Sequence, residues 1–250
     1  MSTTGPGVSV IIPVFNAERH LASAVASAVR QNPGPLEIII VDDGSTDGSP
    51  AIAARCPGPV RYLFQPNLGP PAARNTGLSL ARGELIAFLD ADDLWSEDRL
   101  EVQLGVLALH PGADLVAGRF QWVRDAALPG EPPRLTPLAN PRSPLSLGTA
   151  LIRRHLFTTV GGLDESLWYN DDVDWYLRAR ELGISMVLHE DVVLWYRRHE
   201  GNITNDVARG RQFYLTALKK SLDRRRARPD LPAVPLPGWE DFTGQPWPIR

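Results

Sequence analysis

The sequence predicts an α/β fold: a mostly parallel sheet with helices on both faces. Two observations predict it. Short apolar runs at 8–12, 36–41, 61–64 and 85–89 alternate with segments whose apolar residues recur at helical spacing. The second and fourth runs end abruptly in aspartates, Asp42-Asp43 and Asp90-Ala91-Asp92-Asp93. In an open α/β sheet, ligands bind in the crevice beyond the strand ends.

Each element follows from local chemistry. Val8 to Ile12 is a β-branched run, and Pro13 is expected to end it. Ala17 to Gln31 places Leu21, Ala24, Val25, Ala28 and Val29 at helical spacing, and Pro33-Gly34-Pro35 breaks that helix. Leu36 to Val41 is a second buried strand, with a short helix after it to about Arg55. Arg61 to Phe64 is a third, weaker strand. The turn Asn67-Leu68-Gly69-Pro70-Pro71 opens a helix to Arg82, since proline is tolerated in a first helical turn, and Gly83 closes it. Leu85 to Leu89 is the fourth strand. Ser96 is placed to cap a helix from Glu97 to His110.

After Asp114 the pattern changes. Leu115 to Val123 reads as a strand, and proline-rich 124–147 as a long loop, a length usually associated with function or disorder. Thr149 to Ile152 reads as a strand and Arg153 to Val160 as a short helix. Asp171 to Leu182 reads as a helix, Ile184 to Leu188 and Val192 to Arg197 as two strands, and Asp206 to Arg226 as a terminal helix. The chain is expected to form one domain over 1–228, with two halves at 8–114 and 115–228. The segment 229–250 is a proline-rich tail.

Composition narrows the function. The net charge of −3 gives no sign of a nucleic-acid partner. Cys56 is the only cysteine, so no intrachain disulfide forms, which fits a reducing compartment. No run approaches the roughly 18 apolar residues of a membrane span, and the first residues lack the pattern of a signal peptide. The expected location is cytoplasmic. The basic run of Lys219, Lys220, Arg224, Arg225, Arg226 and Arg228 reads either as a solvated helix end or as a peripheral contact with an anionic membrane.

Three acidic clusters carry the chemistry: Asp42-Asp43, Asp90 to Asp93, and Asp171-Asp172-Val173-Asp174. Carboxylates meeting in a crevice repel unless a cation joins them, and Mg²⁺ shares such a shell with substrate phosphates. The other reading is a solvated loop of helix-capping acids. Phe15 either offers an aromatic face to a base or packs in the core. Asp42 either accepts from a pyrimidine N–H and a ribose hydroxyl or organises the Asp-Gly-Ser turn. Trp168, Tyr169, Trp175 and Tyr176 are divided between a binding pocket and the core, with Trp168 and Tyr169 the better pocket candidates. On a helix from Asp171, the side chains of Asp171 and Asp174 share a face, with Asp172 pointing elsewhere.

Seven segments, in order, resemble the family 2 glycosyltransferases. They are Val10 to Glu18, Val41 to Asp47, Asn67-Leu68-Gly69 with Ala73-Arg74-Asn75-Thr76-Gly77, Phe88 to Asp93, Gly162-Leu163-Asp164-Glu165, Asp171 to Trp175, and Tyr196-Arg197-Arg198-His199. Together they cover about residues 8–205.

The resemblance implies a GT-A fold with a Rossmann-like sheet, a nucleotide-sugar-binding half at 8–114 and an acceptor half at 115–228, a nucleotide-diphosphate-sugar donor with a UDP-sugar favoured, a hydroxyl acceptor, and inversion at the anomeric carbon. It implies that Pro13, Phe15, Glu18 and Asp42 surround the nucleotide and that Arg74 closes the donor side. Asp90 lies near ribose and metal. Asp92 is the first metal ligand, and His199 completes the shell around Mn²⁺ or Mg²⁺. Trp168 and Asp171 line the substrate site, and Asp172 matches the catalytic base. Asp171 stands where the family usually has glutamate. A haloacid dehalogenase-type phosphatase also carries a strand-end Asp-x-Asp, but Leu94 departs from its pattern. A non-catalytic nucleotide-sugar-binding module is the remaining alternative.

Overall fold

The computed structural model describes residues 6–127, 132–142 and 146–228. In chain order they form β1 (Val8–Val14), α1 (Leu21–Val29), β2 (Glu37–Asp43), α2 (Ser49–Ala53), β3 (Val60–Gln65), α3 (Pro70–Leu80), β4 (Leu85–Phe88) and β5 (Leu94–Trp95). Then come α4 (Arg99–Leu109), β6 (Leu115–Asp125), β7 (Leu135–Pro137), β8 (Ala150–Arg153), α5 (Leu156–Thr159), α6 (Asp171–Glu181), β9 (Met186–Arg197) and α7 (Val207–Ala227).

All nine strands join one sheet in the order β3-β2-β1-β4-β8-β6-β9-β5, with β7 hanging from β6. The pairs β1–β2, β1–β4, β2–β3 and β6–β9 are parallel. The antiparallel strand β8 splices the two parallel blocks together through β4 and β6.

The apolar runs are continuous because both faces of each strand are covered. In β1, Val8, Val10, Ile12 and Val14 enter one core with α1, while Ile11 enters the opposite core with α6. In β4, Leu85 and Ala87 face the first core and Ile86 and Phe88 the second. Ile38 and Ile40 of β2 face α1, and Ile39 and Val41 meet Ala73 of α3. Fully burying each such aliphatic side chain stabilises the fold by about 1.5–3 kcal/mol.

Several expectations are corrected. Pro13 does not end β1, which runs on to Val14. Ile11 faces β4 through its carbonyl, so Pro13 faces that side too, and β4 has already ended there. Its missing N–H therefore costs no ladder bond. Ser96 does not cap α4. The helix starts at Arg99, and the Gln31 side chain accepts from the Leu100 N–H at 2.9 Å. The two strands expected at 184–188 and 192–197 are one, β9. The expected loop at 124–147 is interrupted by β7, which pairs with β6, and by a bridge between Arg142 and Phe120. Residues 128–131 and 143–145 of that segment, and the tail at 229–250, lie outside the described residues. Among the described residues no helix is long and apolar enough to cross a membrane.

Candidate active site

The crevice forms where β1, β2 and β4 end and where the C-terminal half folds back against them. The side expected to meet the nucleotide is a set of turns tied by acids. Asn16 adopts a left-handed conformation (φ 50°), and its side-chain oxygen accepts from the Thr46 N–H at 2.8 Å. Phe15, half exposed at 53%, is therefore presented to solvent rather than to the core. Pro13 lies two residues earlier, partly buried at the strand end.

Two residues predicted for the nucleotide are occupied by the protein. Asp42 is fully buried; its carboxylate accepts from the Ser45 N–H at 2.8 Å and the Tyr62 hydroxyl at 2.8 Å. Glu18 accepts from the Gly48 N–H at 2.8 Å, while its own N–H donates to Asp47 at 3.0 Å. Both hold the 44–48 turn in place. Asp43 does the same for the next turn, accepting from the N–H groups of Leu68 and Gly69. Gly69 has φ 94°, and a β-carbon there would lie 2.8 Å from the Trp168 indole. Only glycine fits both demands. Trp168, 41% exposed, thus stands at the crevice beside this turn.

Arg74 of α3 links the two halves. One guanidinium nitrogen donates to Asp90 at 2.6 Å and the other to Asp171 at 2.8 Å. Burial opposes the Arg74 charge, but the two carboxylates outweigh it and hold it protonated. Asp172 is in the same cluster. Burial first, and then the neighbouring Asp171, push its carboxyl up to about 7 despite the nearby Arg74. Asp171 is also raised by burial, with Arg74 opposing. Asp174 does not share their surroundings. It is buried against Arg178 at 2.8 Å and Arg224 of α7 at 3.0 Å. The expected pairing of Asp171 with Asp174 against Asp172 is therefore corrected: Asp171 and Asp172 meet in the crevice, and Asp174 anchors α7.

The third cluster joins the predicted metal residues only in part. His199 Nε2 lies 3.1 Å from Asp92 Oδ2, and Asn202 donates to the same oxygen at 3.2 Å. Burial works against the Asp92 charge, but His199 outweighs it and holds the carboxyl below the usual carboxylate range. Asp90 is turned to Arg74. Among the described residues no group of three histidine, cysteine, aspartate or glutamate side chains is close enough to hold a metal ion. The Asp92–His199 pair still fits a divalent cation. It offers one carboxylate oxygen and one imidazole nitrogen, and Mg²⁺ or Mn²⁺ at such sites takes its remaining ligands from phosphates and water.

The sequence reading missed the residues that hold this pair. The His20 ring stacks on His199. Burial, with the charges of Arg197 and His199, pushes the His20 pKa down to about 4. Arg197 donates to the carbonyls of Asp92 and Asp93, to Ser23 at 2.9 Å and to Asp125 at 3.2 Å. Asp93 accepts from the Arg197 N–H at 3.0 Å, and burial pushes its carboxyl well above the usual range. The one available signal was Arg197 beside His199 in a run that already resembled the family.

The comparisons agree with this architecture. The sequence model of Glycosyl transferase family 2 matches residues 9–163. An uncharacterized glycosyltransferase of Rickettsia typhi is 29% identical over 216 residues, covering 82% of this chain and 68% of the relative. Another, of Rickettsia felis, is 46% identical over 99 residues, or 39% of this chain and only 16% of the relative. Among solved structures, a Pyrobaculum calidifontis mannosyltransferase in complex with GDP-Man and Mn²⁺ superposes with a TM-score of 0.70 at 21% identity, covering 88% of this chain and 65% of that one. TarS of S. aureus in complex with UDP-GlcNAc gives 0.66 at 23% identity, covering 80% and 61%. These likenesses show the fold, which is GT-A.

Proposed function

Since the chain belongs to glycosyl transferase family 2, we propose that it transfers a sugar, with inversion, from a nucleotide-diphosphate-sugar to a hydroxyl acceptor. One observation carries this reading. Arg74 joins Asp90, at the end of a nucleotide-side strand, to Asp171, beside the half-buried Asp172. This link supports reading Asp172 as the base that faces the nucleotide-side turns.

Inversion in one displacement needs no protein nucleophile. It needs a base on the acceptor oxygen, opposite the leaving diphosphate. Asp172 takes the acceptor proton on its carboxylate, and its elevated pKa suits a base working near neutrality. Arg74 offsets part of the Asp171 charge, which still raises the pKa of Asp172 beside it. Phe15 stacks on the base of the nucleotide from its exposed position, and Asp42 and Glu18 hold the turn beneath it. Trp168 lines the sugar side. Asp92 and His199 would hold Mn²⁺ or Mg²⁺, which would supply charge neutralisation for the departing diphosphate.

Support for the donor class comes from the two structural neighbours, one solved with GDP-Man and one with UDP-GlcNAc. We favour a UDP-sugar. Family membership removes the phosphatase reading. The test is incubation of the purified chain with Mn²⁺ and UDP-, GDP- or dTDP-sugars, following nucleotide release and product stereochemistry. Turnover of at least one donor supports the transferase. Tight donor binding without turnover for any acceptor or water would favour a binding module and overturn it.

A further inference from the structure

We infer that the outer face of α7 is a docking surface for an anionic lipid bilayer. The inner face of the helix is already used. Tyr214, Ala217 and Ser221 are buried, Tyr214 and Ala217 against Leu167, Val173 and Leu177. Two of its cations are consumed there as well. Arg224 pairs with Glu181 at 2.7 Å and Asp174 at 3.0 Å, and Lys220 with Asp164.

The opposite ridge is different. Residues four apart share a helix face, and Arg211, Leu215 and Lys219 form such a row, all exposed. Leu215 is 58% exposed between the two cations. Val207, at 68%, and Ile203, at 54%, extend the apolar surface at the start of the helix. Over 207–228 there are eight basic residues and one acidic residue, in a chain of net charge −3. The positive charge is therefore concentrated on this element. Apolar side chains rising between cations on a solvent-facing ridge match the boundary between anionic headgroups and acyl chains. A soluble polyanion would be served by the cations alone and would leave Leu215 and Val207 unused.

Position adds to the argument. Ile203 directly follows Asn202, which donates to Asp92 in the crevice. A bilayer against Ile203, Val207 and Leu215 would bring the Asp92–His199 end of the crevice to headgroup level. The proposal concerns binding only and stands whether or not the transferase reading holds.

The experiment is co-sedimentation of the full chain with vesicles of phosphatidylcholine alone or mixed with phosphatidylglycerol, across a salt series. Binding is expected only to the mixed vesicles and should weaken with salt. Arg211→Gln with Lys219→Gln should lower partitioning about thirtyfold, roughly fivefold for each charge. Leu215→Ser should lower it about tenfold. Control substitutions Arg30→Gln and Arg55→Gln, at exposed positions away from α7, should leave it unchanged. Thermal melts matching the parent show that each variant folds. The inference is overturned by equal binding to neutral vesicles, by no binding at low salt, or by unchanged binding in the α7 variants. It is also overturned, in favour of a soluble polyanion, if Leu215→Ser binds normally and heparin displaces the vesicles.

Discussion

The rings of His20 and His199 stack with centroids 4.8 Å apart and planes 27° from parallel. The stack restricts rotation of the His199 ring and keeps Nε2 aimed at Asp92, 3.1 Å away. An aromatic pair of this kind is worth about 0.5–1.5 kcal/mol. His20→Ala should therefore weaken Mn²⁺ binding, measured with UDP present by the paramagnetic signal of free ion, by about two- to twelvefold. His20→Phe keeps the stack and should bind like the parent. Equal loss in both variants would show that the His20 nitrogens, not its ring face, matter.

Asp172→Asn keeps the shape of the base and removes its basicity. Turnover should fall by about 10²–10⁴-fold with donor affinity unchanged. In the parent, activity should fall as pH drops below about 7, the value to which burial and Asp171 push this carboxyl. Stability should show the opposite trend. The folded pKa lies above the unfolded one, so the protonated form is favoured by folding. Its contribution is full at low pH and is lost as pH rises toward 7. Asp172→Asn should melt at a higher temperature than the parent at pH 8, with the gap closing toward pH 4. A gap that widens in acid would contradict the assignment.

Arg74 is buried between two carboxylates, and removing one partner of a buried ion pair costs about 3–5 kcal/mol. Arg74→Met should approach that loss in urea denaturation. Arg74→Met with Asp171→Asn should recover part of it, because the stranded charge is gone. An additive double variant would mean that the two residues do not act as a pair.

Glu37 lies at the buried start of β2. Burial raises its pKa, but hydrogen bonds from Arg61, the Arg82 N–H and Ser9 overcome this and hold it at about 2. Folding therefore favours the ionised form. That stability is present above the unfolded value near 4.5 and is lost as pH falls toward 2. Glu37→Gln should lower the melting temperature at pH 7, and the deficit should shrink below about pH 4.5 and disappear only near pH 2. A deficit independent of pH would assign the effect to packing.

The nucleotide side was legible because its signals are local. Apolar runs such as Ile38 to Val41 are followed directly by the aspartates that shape the crevice, and strand and acid are neighbours in sequence. Asp171 and Asp172 were found through likeness to a family, but their separation from Asp174 was not. That separation depends on Arg74 and Arg224, which approach α6 from opposite ends of the chain. His20 gave no signal because its partner is remote, and an aromatic residue ahead of a helix is ordinary. Ser96 misled for the related reason that Gln31, distant in sequence, took over the cap. Pro13 misled because a proline ends a strand only where its N–H would have been needed.

The pairing of β5 with β9 bears on how the chain is made. Leu94 and Trp95 have their strand partners in Trp195 and Leu194. A growing chain that has left the ribosome only as far as residue 163, where the family match ends, holds Asp90, Asp92 and Arg74 but lacks His199 and Asp171. Asp90 then already has Arg74 as its partner, while Asp92 still lacks His199. A break at the edge of the shared family segment would part Arg74 from Asp171 and Asp92 from His199.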